Sequence, residues 1–136
     1  MAKILKIHHI AVAVPELEKA LGFWRDSLGL SLEGVEEVAG QASKVGMLPV
    51  GATEIELVQP ATADSGMAKY LEKRGPGLHH VCFEVDDLDG MIAALKGKGT
   101  RFTTESPSIG AGGRRMIFLH PASSGGVLVE LYETSK

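Results

Sequence analysis

The sequence contains two similar segments, each of which includes a pair of adjacent histidines. The first segment is IHHIAVAVPEL, from Ile7 to Leu17, and the second is GLHHVCFEVDD, from Gly77 to Asp87. The histidine pairs lie 71 residues apart, and each precedes a short apolar run that ends in an acidic stretch able to start a helix. Repetition at this spacing indicates that one supersecondary unit occurs twice. The 136-residue chain has room for two copies of such a module.

The first copy predicts a strand, a helix and three further strands. Residues 4–14 alternate as a strand does, and Pro15 ends this strand and opens a helix over 15–29. Polar residues and glycines then separate three expected strands, which cover residues 30–38, 43–50 and 54–59. The first module therefore spans about residues 4–60 and has the order βαβββ.

The second copy predicts the same order after a linker at 61–77, which contains a short helix at 66–73. A strand is expected at Leu78–Val85, and Asp86 and Asp87 can cap the helix that follows. The remaining strands are expected near residues 100–104, 115–119 and 126–132. The sequence thus predicts an α+β fold in which two tandem βαβββ modules, about 4–60 and 78–133, form one domain over residues 1–136.

Composition excludes several classes of function. The net charge of −3 and the few aromatic residues argue against a nucleic-acid partner. Cys82 is the single cysteine, so no internal disulfide can form. The N-terminus lacks the apolar core of a signal peptide, and no segment approaches the ~20 apolar residues that span a bilayer. These features predict a cytoplasmic protein without a membrane partner.

Strand alternation places four donor side chains opposite the helix-packing faces of their strands. These residues are His9, Glu56, His80 and Glu130. If the two sheets curve towards one another, the four side chains converge on a metal-binding cup. Glu54 lies on the same face as Glu56 and is the alternative to it as a ligand. His8 and His79 share the alternation of the apolar residues and are expected to be plain strand-end residues.

Two nitrogen and two oxygen donors without a thiolate suit a single first-row divalent ion. The donor set suits Co²⁺, Ni²⁺, Mn²⁺, Fe²⁺ or Zn²⁺. Such an ion keeps coordination positions open for water or a bidentate substrate, which indicates a catalytic site. His120, Arg114 and Arg115 are candidates for substrate contacts, and the two arginines with the glycine loop 110–113 could hold a phosphate or carboxylate group. A plain turn explains His120 equally well, and a hairpin turn explains the loop equally well.

From about Lys6 to Glu133, the chain resembles the vicinal oxygen chelate superfamily, which includes glyoxalases, bleomycin resistance proteins and dioxygenases. Within it, the chain is most similar to the methylmalonyl-CoA epimerase family. The stretches that carry this resemblance are HHIAVAVPELEKAL with FWRDSLGL, TEIELVQPATADS with MAKYLEKRGPGLHHVCFEVDDLD, and SIGAGGRRMIFLHPASSGGVLVELYE. Carried over by motif, the metal ligands of the family fall on the four residues that alternation selects. Some relatives have glutamine where this chain has Glu56.

The resemblance implies an isomerase of propionate metabolism that interconverts the (R) and (S) epimers of methylmalonyl-CoA at C2. It implies proton transfer through a metal-stabilised enolate, with Glu130 as both metal ligand and base. Some relatives place a second catalytic acid or base on the third strand, which aligns with Lys44; Glu54, a bound water or another side chain is the alternative. Relatives are commonly homodimers, and an edge strand such as the first could support pairing.

Three other activities of the superfamily remain open at this stage. Glyoxalase I, also called lactoylglutathione lyase, uses a similar ligand set and also transfers a proton. An extradiol-type dioxygenase needs only two histidines and one carboxylate, so Glu56 would be surplus. A drug-binding protein would use the same cup without metal, and four donors directed inward argue against it.

Overall fold

The strands and helices of the computed structural model, which describes residues 2–134, follow the order that the repeat predicts. The strands are β1 (Ile4–Ala13), β2 (Gly34–Val38), β3 (Ser43–Val50), β4 (Thr53–Pro60), β5 (Gly77–Val85), β6 (Ser108–Ile109), β7 (Arg115–Leu119) and β8 (Val129–Glu133). The α-helices are α1 (Leu17–Leu21), α2 (Gly66–Arg74) and α3 (Leu88–Gly97). The α+β fold with a repeated βαβββ order is therefore confirmed.

Contacts divide the described chain into two units. One unit comprises His9–His79, and the other comprises residues 2–8 together with 80–134. The boundary falls within β1, so the first half of this strand belongs to the unit of the second module. Whether residues 1–136 fold as one domain stays a prediction.

In the unit His9–His79, the strands lie in the order β2-β3-β4-β1. β1 and β4 are parallel, whereas β3 is antiparallel to both β2 and β4. One face of this sheet packs against α1. The buried residues of that core are Val12, Val14, Leu17, Leu21, Leu48 and Leu57. The opposite face is left for the side chains that alternate with them, which include His9 and Glu56.

The first helix is shorter than the predicted 15–29 because its second half is not α-helical. α1 ends at Leu21, and Gly22–Ser27 continues as a π-helix. The Leu28 amide donates to the Phe23 carbonyl at 2.7 Å, five residues back. Gly29, at φ 94°, then ends the helical segment as predicted.

In the other unit, the strands lie in the order β1-β5-β8-β7-β6. α3 covers one face, and the buried residues there are Val85, Leu88, Ile92, Ile117 and Leu131. Asp87 caps α3 as predicted, because its carboxylate accepts a hydrogen bond from the Gly90 amide at 3.0 Å. β1 has strand neighbours on both sides, so the prediction that it is an edge strand is wrong; β2 and β6 lie at the edges.

The predicted strand near 100–104 is also wrong. That segment forms only an isolated bridge between Phe102 and Leu119, and Phe102 packs against the α3 core. The short strand β6 lies instead at Ser108–Ile109, immediately before the glycine loop. Among residues 2–134, no helix combines the length and apolar character needed to cross a membrane.

Candidate metal centre

His9 and Glu56 form a buried pair in the unit His9–His79. The parallel register sets Ala11 opposite Glu56 and His9 opposite Glu54, so these side chains share the face away from α1. His9 Nδ1 lies 3.2 Å from Glu56 Oε2, and the two side chains are 4% and 7% exposed. His9 and Glu56, which alternation predicts on one face, are therefore in contact.

His80 and Glu130 form the equivalent pair in the other unit. β5 and β8 are parallel with Cys82 opposite Glu130, which again places the carboxylate diagonal to the histidine. His80 Nε2 lies 2.8 Å from Glu130 Oε1, and the side chains are 7% and 6% exposed. Phe118, which lies opposite Glu130 on β7, meets the His80 ring edge to face at 5.1 Å between centroids.

Each unit thus offers one imidazole nitrogen and one carboxylate oxygen from the same two strands of the repeated module. A buried carboxylate is costly unless a partner or a metal ion compensates its charge. The hydrogen-bonded histidine provides part of that compensation in both pairs. Neutral imidazole and carboxylate are also the ligands that first-row divalent ions accept. Each pair is therefore chemically suited to be half of a metal site.

The position of Lys44 does not support the predicted role as second acid or base. Lys44 lies opposite Gln59 in the β3–β4 ladder, whereas Met47 lies opposite Glu56. Gln59 Oε1 accepts a hydrogen bond from the Leu17 amide at 2.7 Å, at the start of α1. Lys44 therefore lies on the helix side of the sheet, opposite to the Glu56 face.

Arg115 also lies on the wrong side of its sheet for a substrate contact at Glu130. Its guanidinium contacts the Asp89 carboxylate at 2.7 Å and Glu133 Oε2 at 3.3 Å. The hydrogen bond from Arg115 lowers the pKa of Asp89 below its ordinary value, and the same bond raises the pKa of Arg115. Both carboxylates thus bind Arg115 beside α3.

Arg114 lies instead on the Glu130 face, in a cluster that sequence reasoning did not assign. Its guanidinium stacks on the Tyr132 ring at 4.4 Å, and Nη2 lies 3.3 Å from His8 Nε2. Nη1 lies 3.6 Å from Glu84 Oε1. His8 was expected to be a plain strand-end residue, but it is buried. Its ring lies against the Tyr132 ring, with 4.5 Å between the ring centroids. The register places Glu84 and Tyr132 on the same face as Glu130, but alternation alone does not show that they surround a cation.

The glycine loop is attached to the same cluster. The Tyr132 hydroxyl donates to the Ala111 carbonyl. A Cβ atom at Gly112, where φ is 76°, would lie 2.7 Å from that hydroxyl oxygen. Glycine is therefore required there both for the backbone conformation and for the approach of Tyr132.

His120 caps the turn at Pro121–Ser123. Its Nδ1 accepts a hydrogen bond from the Ala122 amide at 3.0 Å, so in the neutral ring the proton is on Nε2. The turn explanation considered from the sequence therefore holds. The same bond orients Nε2–H as a hydrogen-bond donor.

Comparison with known proteins identifies the class of protein that this fold and these residue pairs define. Residues 8–118 match the family model of the Glyoxalase/Bleomycin resistance protein/Dioxygenase superfamily. The chain belongs to this superfamily.

Within that superfamily, several of the similar proteins are epimerases. The mitochondrial methylmalonyl-CoA epimerase of Mus musculus is 42% identical over 130 residues, which cover 95% of this chain and 73% of the relative. The ethylmalonyl-CoA/methylmalonyl-CoA epimerase of Cereibacter sphaeroides is 37% identical over 128 residues, 93% of this chain and 96% of the relative. The crystal structure of methylmalonyl-CoA epimerase from Mycobacterium tuberculosis superposes with a TM-score of 0.93 at 35% identity, covering 98% of this chain and 90% of that one. The predicted resemblance, and the expectation of an isomerase, are confirmed.

Proposed function

We propose that this chain interconverts the (R) and (S) epimers of methylmalonyl-CoA at C2 with one divalent metal ion. The observation that carries the proposal is the buried histidine–carboxylate pair in each module, His9 with Glu56 and His80 with Glu130. Both pairs occupy the same place in the repeated unit, in a chain whose relatives include methylmalonyl-CoA epimerases. We infer that the two pairs hold a single ion together.

The donor set fits such an ion. Two imidazoles and two carboxylates suit Co²⁺, our first expectation, and also Mn²⁺, Ni²⁺ or Zn²⁺. Two ionised carboxylates balance the charge of a divalent cation. The four side chains are more than nine-tenths buried, so the balance reduces the cost of keeping these charges away from water.

The bound ion would supply positive charge beside the carboxylate and thioester oxygens of the malonyl group, where negative charge develops as the C2 proton leaves. The chain itself must remove that proton, and we assign this step to the Glu130 carboxylate. A carboxylate acts as a general base when it lies within hydrogen-bond reach of the proton. His80 Nε2 lies 2.8 Å from Glu130 Oε1, so the base lies beside another proposed ligand of the same ion.

Arg114 and His120 remain our candidates for contacts to the acyl-CoA, whereas Arg115 does not. Arg114 is a partly exposed cation on the Glu130 face, where it can contact a carboxylate or phosphate oxygen. His120 presents Nε2–H at the end of β7, the strand that also carries Phe118 opposite Glu130.

Proton NMR in D₂O tests the proposed reaction. We expect catalytic amounts of the Co²⁺-loaded protein to replace the C2 hydrogen of methylmalonyl-CoA by deuterium and to produce the other epimer. Glu130→Gln should abolish both processes because the carboxylate serves as ligand and as base. Glu133→Gln is the matched control, since Glu133 lies on the same strand but contacts Arg115. Unchanged exchange in Glu130→Gln would contradict the role of Glu130.

The same preparation separates the alternatives. Turnover of a hemithioacetal without exchange of methylmalonyl-CoA would indicate a lactoylglutathione lyase. A full complement of metal with binding but no turnover of either substrate would indicate a binding protein.

We also propose that the two modules form one domain and that two chains associate as a homodimer in the cytoplasm. In the first half of β1, the exposed fractions of Ile4, Leu5 and Ile7 are 55%, 49% and 41%. Neighbouring exposed apolar residues are typical of a contact surface. Sedimentation equilibrium measures the association, and a monomer at all concentrations would contradict it.

A further inference from the structure

Inversion at C2 needs a proton donor or acceptor on each face of the planar carbon. Glu130 serves one face in the proposed function, on which this inference rests. Lys44 does not serve the other, because it lies on the helix side of its sheet. The second group must therefore be sought on the face that carries Glu56. Glu54 lies on that face, but it is opposite His9 in the β1–β4 register and so shares the row of a proposed metal ligand.

The strand register selects one residue from β2 and β3. These strands carry three ionisable side chains, Glu36, Glu37 and Lys44. Glu37 lies opposite Lys44 and therefore shares the helix side. Glu36 lies opposite Val45, and Val45 lies opposite Val58, which alternates with Leu57 and shares the face of Glu56. Glu36 is thus the one ionisable side chain of β2 and β3 on the Glu56 face.

Glu36 is also at a suitable separation from Glu56. Glu56 lies opposite Met47 on β3, and Met47 lies opposite Gly34 on β2. Glu36 is therefore two strands away from Glu56 and two residues along β2 from the position directly in line with it. Standard strand spacing and rise give about 12 Å between the two Cα atoms in a flat sheet. Both side chains extend from the same face, and a separation of this size leaves space for a malonyl group.

The surroundings of Glu36 suit a group that contacts a substrate. The side chains in the intervening positions are apolar, namely Val45, Met47 and Val58. Val45 and Val58 are buried, and Glu36 is half-buried, whereas Glu37 is exposed. The carboxylate of Glu36 therefore lies beside apolar surface that shields a reacting carbon from water.

We propose that Glu36 is the second acid and base of the epimerisation. For one epimer, the Glu130 carboxylate takes the C2 proton, and the C–H electron pair becomes part of the enolate. The carboxylic acid of Glu36 then gives its proton to the other face of C2 and becomes a carboxylate. The reverse reaction uses the two residues in exchanged roles, so neither atoms nor charge are lost.

Two neighbouring substitutions test the assignment. Glu36→Gln replaces the catalytic group, and Glu37→Gln makes the same change one residue away on the opposite face. We expect Glu36→Gln to slow interconversion by about 10²- to 10⁴-fold, the usual contribution of a general acid or base, and Glu37→Gln to leave it unchanged. Glu36→Asp keeps a carboxylate and should recover part of the lost rate.

The stereochemistry of exchange gives a readout that a structural role would not produce. With each epimer supplied separately in D₂O, Glu36→Gln should still exchange the C2 hydrogen of the epimer that faces Glu130, with retention of configuration. The other epimer should not exchange, and the metal content should equal that of the wild type. Equal loss of C2 hydrogen exchange from both epimers, or interconversion by Glu36→Gln at the wild-type rate, would overturn the assignment of Glu36. Absence of exchange in the wild-type protein would instead overturn the proposed function, and the assignment with it.

Discussion

Arg114 and Arg115 are adjacent in sequence but belong to opposite faces of their sheet. Arg115 contacts exposed Asp89 beside α3, where water screens the interaction. Because that contact lowers the pKa of Asp89, its small stabilisation is present above the ordinary pKa of 3.8 and is lost as the pH falls through the lower folded value. Arg114 instead lies between Tyr132, His8 and Glu84 on the Glu130 face.

Alanine substitution should distinguish the two arginines. Arg114→Ala leaves the largely buried Glu84 without its cation, so we expect the free energy of unfolding to fall by about 1–3 kcal/mol. We also expect the KM for the acyl-CoA to rise, because a cation is lost from the Glu130 face. Arg115→Ala should leave KM unchanged. Urea unfolding and steady-state kinetics measure both effects, and a raised KM in Arg115→Ala alone would reverse the assignment.

At this scale, alternation along single strands predicted the faces of His9, Glu56, His80 and Glu130 within their modules. The period of two fixes the face of a side chain without knowledge of its neighbours. The catalytic role of Lys44 was predicted from the resemblance to relatives and not from alternation. Its pairing with Gln59 places Lys44 on the face opposite to that of Glu56. The cluster around Arg114 depends on contacts between distant segments, which alternation does not contain.

At the scale of elements, α1 lies close to β3 because a glycine occupies the contact. A Cβ atom at Gly46 would lie 2.9 Å from Leu17 Cδ1. The helix core of Leu17, Leu21, Leu48 and Leu57 therefore leaves no space for a methyl group at this position. Gly34 on β2 differs, since the nearest atom to its Cβ position is Met47 Cε at 3.9 Å, an ordinary contact.

Gly46→Ala should destabilise the protein by about 1–3 kcal/mol, the usual cost of overpacking a core. Gly34→Ala is the matched control and should change the free energy of unfolding much less, because its methyl group fits beside Met47. Chemical denaturation of the two variants measures the difference. Equal stability of the two would show that α1 can move away from β3 at little cost.

Most elements were predictable because each has a period and a boundary signal of its own. Asp87 caps α3 as predicted, and Ser65 caps α2. The π-helix at Gly22–Ser27 was not predicted, since apolar spacing does not separate it from an α-helix. The strand expected near 100–104 does not form. Phe102 packs against the core of its unit, and its backbone makes a single β-bridge to Leu119 in place of a continuous ladder.

At the scale of the whole molecule, the duplicated module provides the same two kinds of donor twice. Each copy places a histidine on its first strand and a glutamate on its last, and each pair is buried and hydrogen-bonded. The repeat in the sequence predicted this equivalence. What a sequence repeat does not determine is whether one ion binds all four residues or each pair acts alone.

Titration of the metal-free protein with Co²⁺, followed by calorimetry and by metal analysis, tests the central claim most directly. The claim predicts one ion per chain. It also predicts that His9→Ala and His80→Ala each weaken binding strongly, because each removes one ligand of the same ion. Two ions per chain, or tight binding that persists after the loss of either histidine, would contradict a single shared metal centre.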